Sequence, residues 1–119
     1  MMTDKLVKYL QRQNLFKNTP VATLNKIANN LVVRTLAKDD ILIRKDDPSD
    51  SLFIIRKGWV KIIAEGPEGD EMMLNQCGPG QLIGEMSLIN QTPRSNTIIV
   101  LSPAEILELK YSVVLEVFN

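Results

Sequence analysis

The sequence predicts a mainly β domain with flanking helices, in which short strands form a sandwich or a barrel. Three observations support this fold class. Five short β-prone runs follow one another from residue 32 onward, and turn-forming residues separate them. Apolar residues before residue 32 recur at helical spacing. The chain has 119 residues, 45% of them hydrophobic, which is sufficient for one domain with a buried core over residues 1–119.

Residues 1–31 predict a helical lead. The first segment has a weak apolar face, made by Leu6, Val7 and Leu10. Thr19 followed by Pro20 predicts the start of a second helix, with Thr19 as the capping residue and Pro20 as the first helical residue. This helix is expected from about residue 20 to residue 30. Its apolar residues at helical spacing are Leu24, Ile27, Ala28 and Leu31.

Residues 32–110 predict the β-rich body of the domain. Its β-prone runs are VVRTL, ILIRK, SLFIIRK, WVKIIAE and EMMLNQC. The segments between these runs have turn chemistry and read AKDD, DDPSD, Gly58 and GPEG. Many short strands at such close intervals favour a sandwich or a barrel.

The segment AEILELK and the residues before it fit two structures. Ser102, Pro103 and Glu105 form a capping pattern that predicts a helix through this segment. A turn followed by a short strand is the alternative, because the apolar residues fit neither period cleanly. Ser112 is a better helix start, and a closing helix is expected over 111–119. Its expected buried residues are Val113, Val114, Val117 and Phe118.

Composition argues against several function classes. Fourteen basic and fourteen acidic residues give a formal net charge of zero, so no basic stripe for nucleic acid is expected. The chain contains no histidine, whereas metalloenzymes on small barrels and serine or cysteine nucleophiles usually require imidazole. We therefore expect a protein that is not an enzyme and holds no metal. Asp46, Asp47 and Asp50 lack the order of a calcium loop and predict a solvated turn.

The single cysteine and the amino terminus indicate where in the cell the protein is expected. Cys77 is expected to be a small buried hydrophobe, and one cysteine excludes a disulfide within the chain. The amino terminus meets charged residues too early for a secretory signal, and no run approaches the ~18 apolar residues of a membrane span. The sequence therefore predicts a cytoplasmic chain without a membrane segment.

The stretch IGEMSLINQTPRSNT, residues 83–97, holds groups that suit a small anion bearing a hydroxyl. Arg94, expected in a surface loop, offers a guanidinium fork to a phosphodiester, and GEMSLI can form a turn whose N–H groups face an anion. Glu85 offers a charged acceptor to a ribose hydroxyl, and Gly84 lets the backbone approach a ligand. A strand, a turn and the next strand are the alternative, since such residues are common surface features.

This stretch, preceded by GPGQLI and by LFIIRKGWVKI, resembles the phosphate-binding cassette of the cyclic nucleotide-binding domain family. That family includes protein kinase A regulatory subunits, catabolite-activator transcription factors and nucleotide-gated channels. The resemblance extends from LFKNTPVATLNKIANNL to ILELKYSVVLEVF and covers nearly the whole chain. It implies a jelly-roll β-barrel over residues 32–110, with the cassette at 83–97 and a turn and strand after Ser102. Residues 111–119 would then be the start of a truncated C-terminal helix.

The resemblance also implies a role for each cassette residue. The expected ligand-binding residues are Gly84, Glu85, Met86, Ser87, Arg94 and Ser95. Glu85 would accept a hydrogen bond from the ribose 2′-hydroxyl, and Arg94 would bind the cyclic phosphate. Main-chain N–H groups of Ser87 and Ser95 would donate to the phosphate oxygens. Thr97 is expected to have a packing role.

The expected function is that of a sensor for cAMP or cGMP within a larger signalling protein, whose effector the sequence does not identify. A homodimer is compatible with this reading. Two residues depart from the family pattern: Ile83 replaces the usual phenylalanine, and Asn96 replaces a small residue. An amide at position 96 is expected to crowd the pocket or to remain unpaired. The alternative function is therefore a degenerate domain that binds no nucleotide and serves protein association.

Overall fold

The computed structural model describes residues 2–13 and 16–118, which contain four helices and eight strands. The helices are α1 (Met2–Gln11), α2 (Val21–Asn30), α3 (Glu85–Asn90) and α4 (Tyr111–Phe118). The strands are β1 (Val32–Leu36), β2 (Ile41–Ile43), β3 (Ser51–Lys57), β4 (Val60–Glu65), β5 (Glu71–Cys77), β6 (Leu82–Ile83), β7 (Thr97–Val100) and β8 (Ala104–Lys110). All five β-prone runs of the sequence form strands, as predicted. None of these helices is long and apolar enough to cross a membrane.

The strands form two antiparallel sheets of four strands each. One sheet has the order β1-β8-β3-β6, and the other has the order β2-β7-β4-β5. Pairing joins distant parts of the chain: in β1 and β8, Val32 lies opposite Glu108 and Leu36 lies opposite Ala104. The mainly β prediction is confirmed, and the topology is that of a jelly roll. Within the described residues no strand pair joins the two sheets, so they are not closed into a barrel.

A first hydrophobic core lies between the two sheets. Its buried residues are Leu42, Ile43, Phe53, Ile55, Val60, Cys77, Ile83, Ile98, Val100, Ala104 and Ile106. Burial of their side chains is the main favourable term that holds the two sheets together. Cys77 is a free, buried cysteine, as the sequence predicts.

A second hydrophobic core joins the helices to the outer face of the β1-β8-β3-β6 sheet. Its buried residues are Leu6, Val7, Leu10, Phe16, Leu24, Ile27, Ala28, Ile54, Leu107 and Leu109. The apolar faces predicted for the first two helices are therefore confirmed. Val113, Val114 and Val117 of α4 pack against the same core, half-buried, whereas the side chain of Phe118 lies outside the described residues.

The start of α2 differs from the sequence-based prediction, and the ambiguous segment is a strand. Pro20, not Thr19, is the N-cap of α2, where its carbonyl accepts a hydrogen bond from Leu24 N–H and no side chain caps the helix. Helix α4 begins at Tyr111, which is the first residue of the range expected for the closing helix and precedes Ser112 by one residue. The Ser102 hydroxyl does not start a helix, because it accepts a hydrogen bond from Trp59 N–H at 3.1 Å and the chain continues into β8.

Gly58 and Gly69 provide a test of packing around the turns. Both have a positive φ, of 85° and 81°. A Cβ at Gly58 would collide with the backbone of Pro103 and Ala104, whereas a Cβ at Gly69 would meet no atom within 4 Å. We expect Gly69→Ala to lower the free energy of unfolding by about 1 kcal/mol through backbone strain alone. Gly58→Ala is expected to lower it by about 3 kcal/mol, because the collision adds to the strain.

Urea unfolding of the parent and the two variants measures this difference. Equal losses in the two variants would contradict the close packing of Gly58 against the Pro103 turn.

Candidate functional site

Arg94 lies buried at the centre of the candidate site, with 4% of its surface exposed. Its Nη1 donates to the Gly84 carbonyl at 2.8 Å and to the Ser87 hydroxyl at 2.9 Å, and its Nη2 donates to the Ser51 carbonyl. The guanidinium carbon lies 5.8 Å from the centroid of the Phe53 ring. The expectation that Arg94 sits in a surface loop is therefore wrong. The guanidinium of arginine has five N–H donors in one plane, more than any other cationic side chain. It can therefore bond to several buried carbonyl groups at once, which explains why Arg94 is buried.

The charge of Arg94 is compensated by two acidic residues. Burial lowers the pKa of the Arg94 guanidinium from its ordinary value, while the carboxylates of Asp50 and Glu108 act in the opposite direction. The Ser51 hydroxyl, which is fully buried, donates to Glu108 Oε2 at 2.6 Å. Ser51 therefore contacts both groups: its carbonyl accepts from Arg94, and its hydroxyl donates to Glu108, one of the two acids that compensate the charge of Arg94.

The backbone of Arg94 is clamped to the β2–β3 turn. Its N–H donates to the Asp47 carbonyl at 2.9 Å, and its carbonyl accepts from Asp46 N–H at 2.8 Å. In the same region the Ser49 hydroxyl donates to the Thr92 carbonyl at 2.6 Å. The acidic turn thus holds the cassette loop through backbone bonds. In the part of the chain that the structure describes, no three His, Cys, Asp or Glu side chains form a metal-binding group.

Gly84 and α3 form the second side of the site. The helical turn expected in GEMSLI is present as the six-residue helix α3. Gly84 has a φ of 82°, and a Cβ there would lie 2.5 Å from Arg94 Nη1, so both conformation and space favour glycine. Glu85 and Ser87 at the start of α3 are half-buried, and the side chain of Met86 lies outside the described residues. Among the described residues, no hydrogen bond or ion pair engages the Glu85 carboxylate, which leaves it available as an acceptor.

A cavity of about 340 Å³ opens between these groups and the β2-β7-β4-β5 sheet. This volume lies within the range of small-molecule sites, of about 300–1,000 Å³. Five predicted ligand-binding residues line it: Gly84, Glu85, Ser87, Arg94 and Ser95. Its apolar wall is made by Ile43, Ile62, Cys77, Leu82, Ile83 and Ile98. We refer to it below as the cassette cavity.

Three amide side chains border the cassette cavity: Asn75, Gln81 and Asn96. Sequence reasoning missed the first two. Asn75 faces the site because the register of β5 places it opposite Ile62, which in turn lies opposite Ile98 of β7. No pattern in the sequence marks this register, since a bulge between Ile62 and Ile63 shifts it by one residue.

Asn96 and Thr97 have partners within the cassette. Asn96 Nδ2 donates to the Ser95 hydroxyl at 3.3 Å, so the amide expected to remain unpaired is bonded to its neighbour. The Thr97 hydroxyl accepts from Lys45 N–H at 3.1 Å, which ties the end of the cassette to the chain after β2. At the wall of the cavity, burial raises the pKa of the Cys77 thiol, and the nearby Glu85 carboxylate adds to this effect.

The cassette cavity is flanked by a buried arginine and a helix start in a jelly roll. A sequence model of the family described as cyclic nucleotide-binding domain matches residues 33–119. The chain belongs to the cyclic nucleotide-binding domain family. The whole described cassette lies within the matched residues.

Relatives of this cyclic nucleotide-binding domain occur in larger proteins. The chain is 30% identical over 95 residues to a cyclic nucleotide-gated potassium channel of Mesorhizobium japonicum, which covers 80% of this chain and 25% of the channel. It is 33% identical over 93 residues to cGMP-dependent protein kinase 2 of Homo sapiens, which covers 76% of this chain and 12% of the kinase. The chain therefore spans a quarter or less of the length of these two relatives.

The fold is also found in a solved structure. The regulatory domain of Toxoplasma gondii PKA, crystallised with cAMP, superimposes with a TM-score of 0.90 over 99% of this chain and 46% of that chain. The two sequences are 17% identical, so this likeness shows the fold alone.

Replacement of Arg94 tests whether the cyclic nucleotide-binding domain depends on this residue for stability. Arg94→Ala removes the guanidinium donors of the Ser51 and Gly84 carbonyl groups and one of the cations near Glu108. We therefore expect the free energy of unfolding in urea to fall by about 3 kcal/mol or more.

Arg44→Ala is the matched control, because Arg44 is an exposed arginine just after β2. Its effect should stay within about 0.5 kcal/mol. If the two variants are equally stable, the buried contacts of Arg94 do not support the fold.

Proposed function

We propose that this chain is a regulatory module that binds a cyclic nucleotide, cAMP or cGMP, in the cassette cavity. The observation that carries the proposal is the placement of Arg94, Glu85 and the start of α3 around one cavity in a chain of this family. A phosphodiester carries one charge, which a buried guanidinium fork recognises without a change of its own protonation.

The phosphate would lie between Arg94 and the start of α3. Arg94 Nη1 donates there to the Ser87 hydroxyl, which itself lies 3.4 Å from the Gly84 carbonyl. A phosphate oxygen would take the place of the Ser87 hydroxyl on the guanidinium, and the hydroxyl would then donate to the phosphate. Main-chain N–H groups of Ser87 and Ser95 would complete the donor set.

The ribose and the purine would occupy the remainder of the cassette cavity. The half-buried Glu85 carboxylate is the acceptor proposed for the ribose 2′-hydroxyl. The apolar wall would contact either purine through its faces, and the amides of Asn75, Gln81 and Asn96 would border its edges. An amide both donates and accepts hydrogen bonds, so these groups suit adenine and guanine alike.

The module would act without catalysis. It would bind its ligand in the cytoplasm and regulate an effector within a larger protein, because its relatives include a channel and a kinase several times its length. Dimerisation and direct binding of nucleic acid are not needed for this role.

A degenerate association module is the second candidate. It is favoured by the contacts of Arg94 itself, since both hydrogens of Nη1 are taken by protein groups, the Gly84 carbonyl and the Ser87 hydroxyl. Ligand binding must break at least one of these bonds. Thermal shift and calorimetry with cyclic nucleotides distinguish the two candidates.

Both cAMP and cGMP are expected to raise the melting temperature, because each binds the folded chain. Their affinities should lie within about tenfold of each other, or ~1.4 kcal/mol, since the amides suit both purines. Linear AMP should give no shift, because its open phosphate carries an additional charge that a single-phosphodiester site does not match. If neither cyclic nucleotide shifts the melting curve at millimolar concentration, the association module is the better description.

The role of Glu85 is tested by a double cycle with cAMP and its 2′-deoxy analogue. Glu85→Gln should weaken binding of cAMP more than binding of the analogue, which lacks the hydroxyl partner. We expect a coupling of about 1 kcal/mol or more by calorimetry.

Glu65→Gln is the control for removal of one negative charge, because Glu65 is exposed at the end of β4. It should show no coupling to the 2′-hydroxyl. If the losses of binding free energy in the Glu85 cycle are additive, Glu85 does not contact the ribose 2′-hydroxyl.

A further inference from the structure

A second, smaller cavity adjoins Arg94 outside the cassette cavity. It measures about 150 Å³, and its charged lining residues are Arg34, Asp47, Asp50, Arg94 and Glu108. Arg94 and Ile43 line both cavities. The guanidinium therefore faces a proposed anion site in one cavity and a group of carboxylates in the other.

A continuous set of contacts leads from Arg94 to Arg34 of strand β1, and three of its members, Arg94, Glu108 and Arg34, line this second cavity. Arg94 Nη2 donates to the Ser51 carbonyl, and the Ser51 hydroxyl donates to Glu108 Oε2 at 2.6 Å. Glu108 Oε1 lies 3.9 Å from Arg34 Nη1. Ser51 is fully buried, and the Glu108 side chain is only 14% exposed, so solvent screens this carboxylate weakly.

We propose that Glu108 is a positioning residue that holds Arg94 through Ser51 and lowers the affinity of the cassette cavity for an anion. The anionic ligand in this inference is the cyclic nucleotide of the proposed function, whereas the contacts among Arg94, Ser51 and Glu108 do not depend on that function. Glu108 attracts the same guanidinium that a phosphodiester would bind. An incoming anion therefore meets an arginine whose charge is already partly compensated inside the protein.

Arg34 does not remove this effect of Glu108. Its Nη1 lies 3.9 Å from the carboxylate, which is longer than a hydrogen bond, and its side chain is 35% exposed. The Ser51 hydroxyl, in contrast, makes a short bond to the other carboxylate oxygen. Glu108 is thus fixed beside the residue whose carbonyl binds Arg94.

The first experiment measures binding of cAMP to Glu108→Gln by calorimetry. Glutamine keeps the size of the side chain and an acceptor for the Ser51 hydroxyl, but it removes the charge. We expect affinity for cAMP to rise by about three- to tenfold. Binding of a neutral methyl ester of the cyclic phosphate should not change, because it has no charge for Arg94 to attract. Equal gains for the charged and the neutral ligand would overturn the proposal.

Glu105→Gln is the matched control, since Glu105 lies on the same strand and its carboxylate pairs instead with Arg56 at 2.7 Å. It should leave affinity for cAMP within about twofold of the parent. If it raises affinity as much as Glu108→Gln does, the effect is one of overall charge and the proposal is wrong. Ser51→Ala is the second variant, and it should raise affinity by a smaller factor because it frees Glu108 from its hydrogen bond.

The second experiment needs no nucleotide and separates this inference from the proposed function. A double-mutant cycle combines Arg94→Gln with Glu108→Gln, and urea unfolding gives the four stabilities. We expect the combined loss to be smaller than the sum of the single losses, because each variant removes a partner of the other. Strictly additive losses would overturn the coupling of Glu108 to Arg94. If the cycle shows coupling and cAMP does not bind the parent, the proposed function fails and the positioning contact remains.

Discussion

The burial of one cation, Arg94, is the constraint on which the site depends. A buried guanidinium is stable only if carbonyl groups and carboxylates surround it, because an unpaired charge in the interior costs several kcal/mol. Here the partners come from separate elements: the start of β3, the residue before α3 and strand β8. Satisfying Arg94 therefore brings these elements to one place. Arg94 and its partner Gly84 both line the cassette cavity.

Strands β3 and β8 supply this frame because both are buried on two faces. Ile106 packs in the core between the sheets, whereas Leu107 and Leu109 pack against the helices. Phe53 and Ile54 are divided between the two cores in the same way. A strand with two buried faces has apolar residues on both faces, and in β8 Glu105 and Glu108 interrupt them, so the segment shows neither the alternation of a surface strand nor the period of a helix. This explains why AEILELK fits two structures from its sequence and only one in the fold.

Local chemistry made much of the fold predictable, and long-range contacts limited the prediction of the site. Short β-prone runs bounded by glycine and aspartate predict the first five strands, because turn residues act over a few positions. The burial of Arg94 was not predictable in this way. Its partners Ser51 and Glu108 lie 43 and 14 residues away and meet it only through the sheet. Asn75 and Gln81 were missed for the same reason, since the register of β5 and its bulge place Asn75, whereas a hydrogen bond from Ile55 N–H to the Gln81 carbonyl holds Gln81 beside β3.

Strand β6 is the point at which the site and both cores meet. It has two residues, of which Leu82 packs against the helical core and Ile83 packs between the sheets. The next residue is Gly84, whose carbonyl accepts from Arg94. The carbonyl that accepts from Arg94 therefore lies only two residues along the chain from Leu82, which packs against the helices. Because Arg94 bonds to the carbonyl groups of Gly84 and Ser51 and also lines the cassette cavity, an Arg94 variant changes the packing of the loop and the proposed binding site together. Only a comparison with the loss of folding free energy in the same variant separates recognition of the ligand from support of the loop.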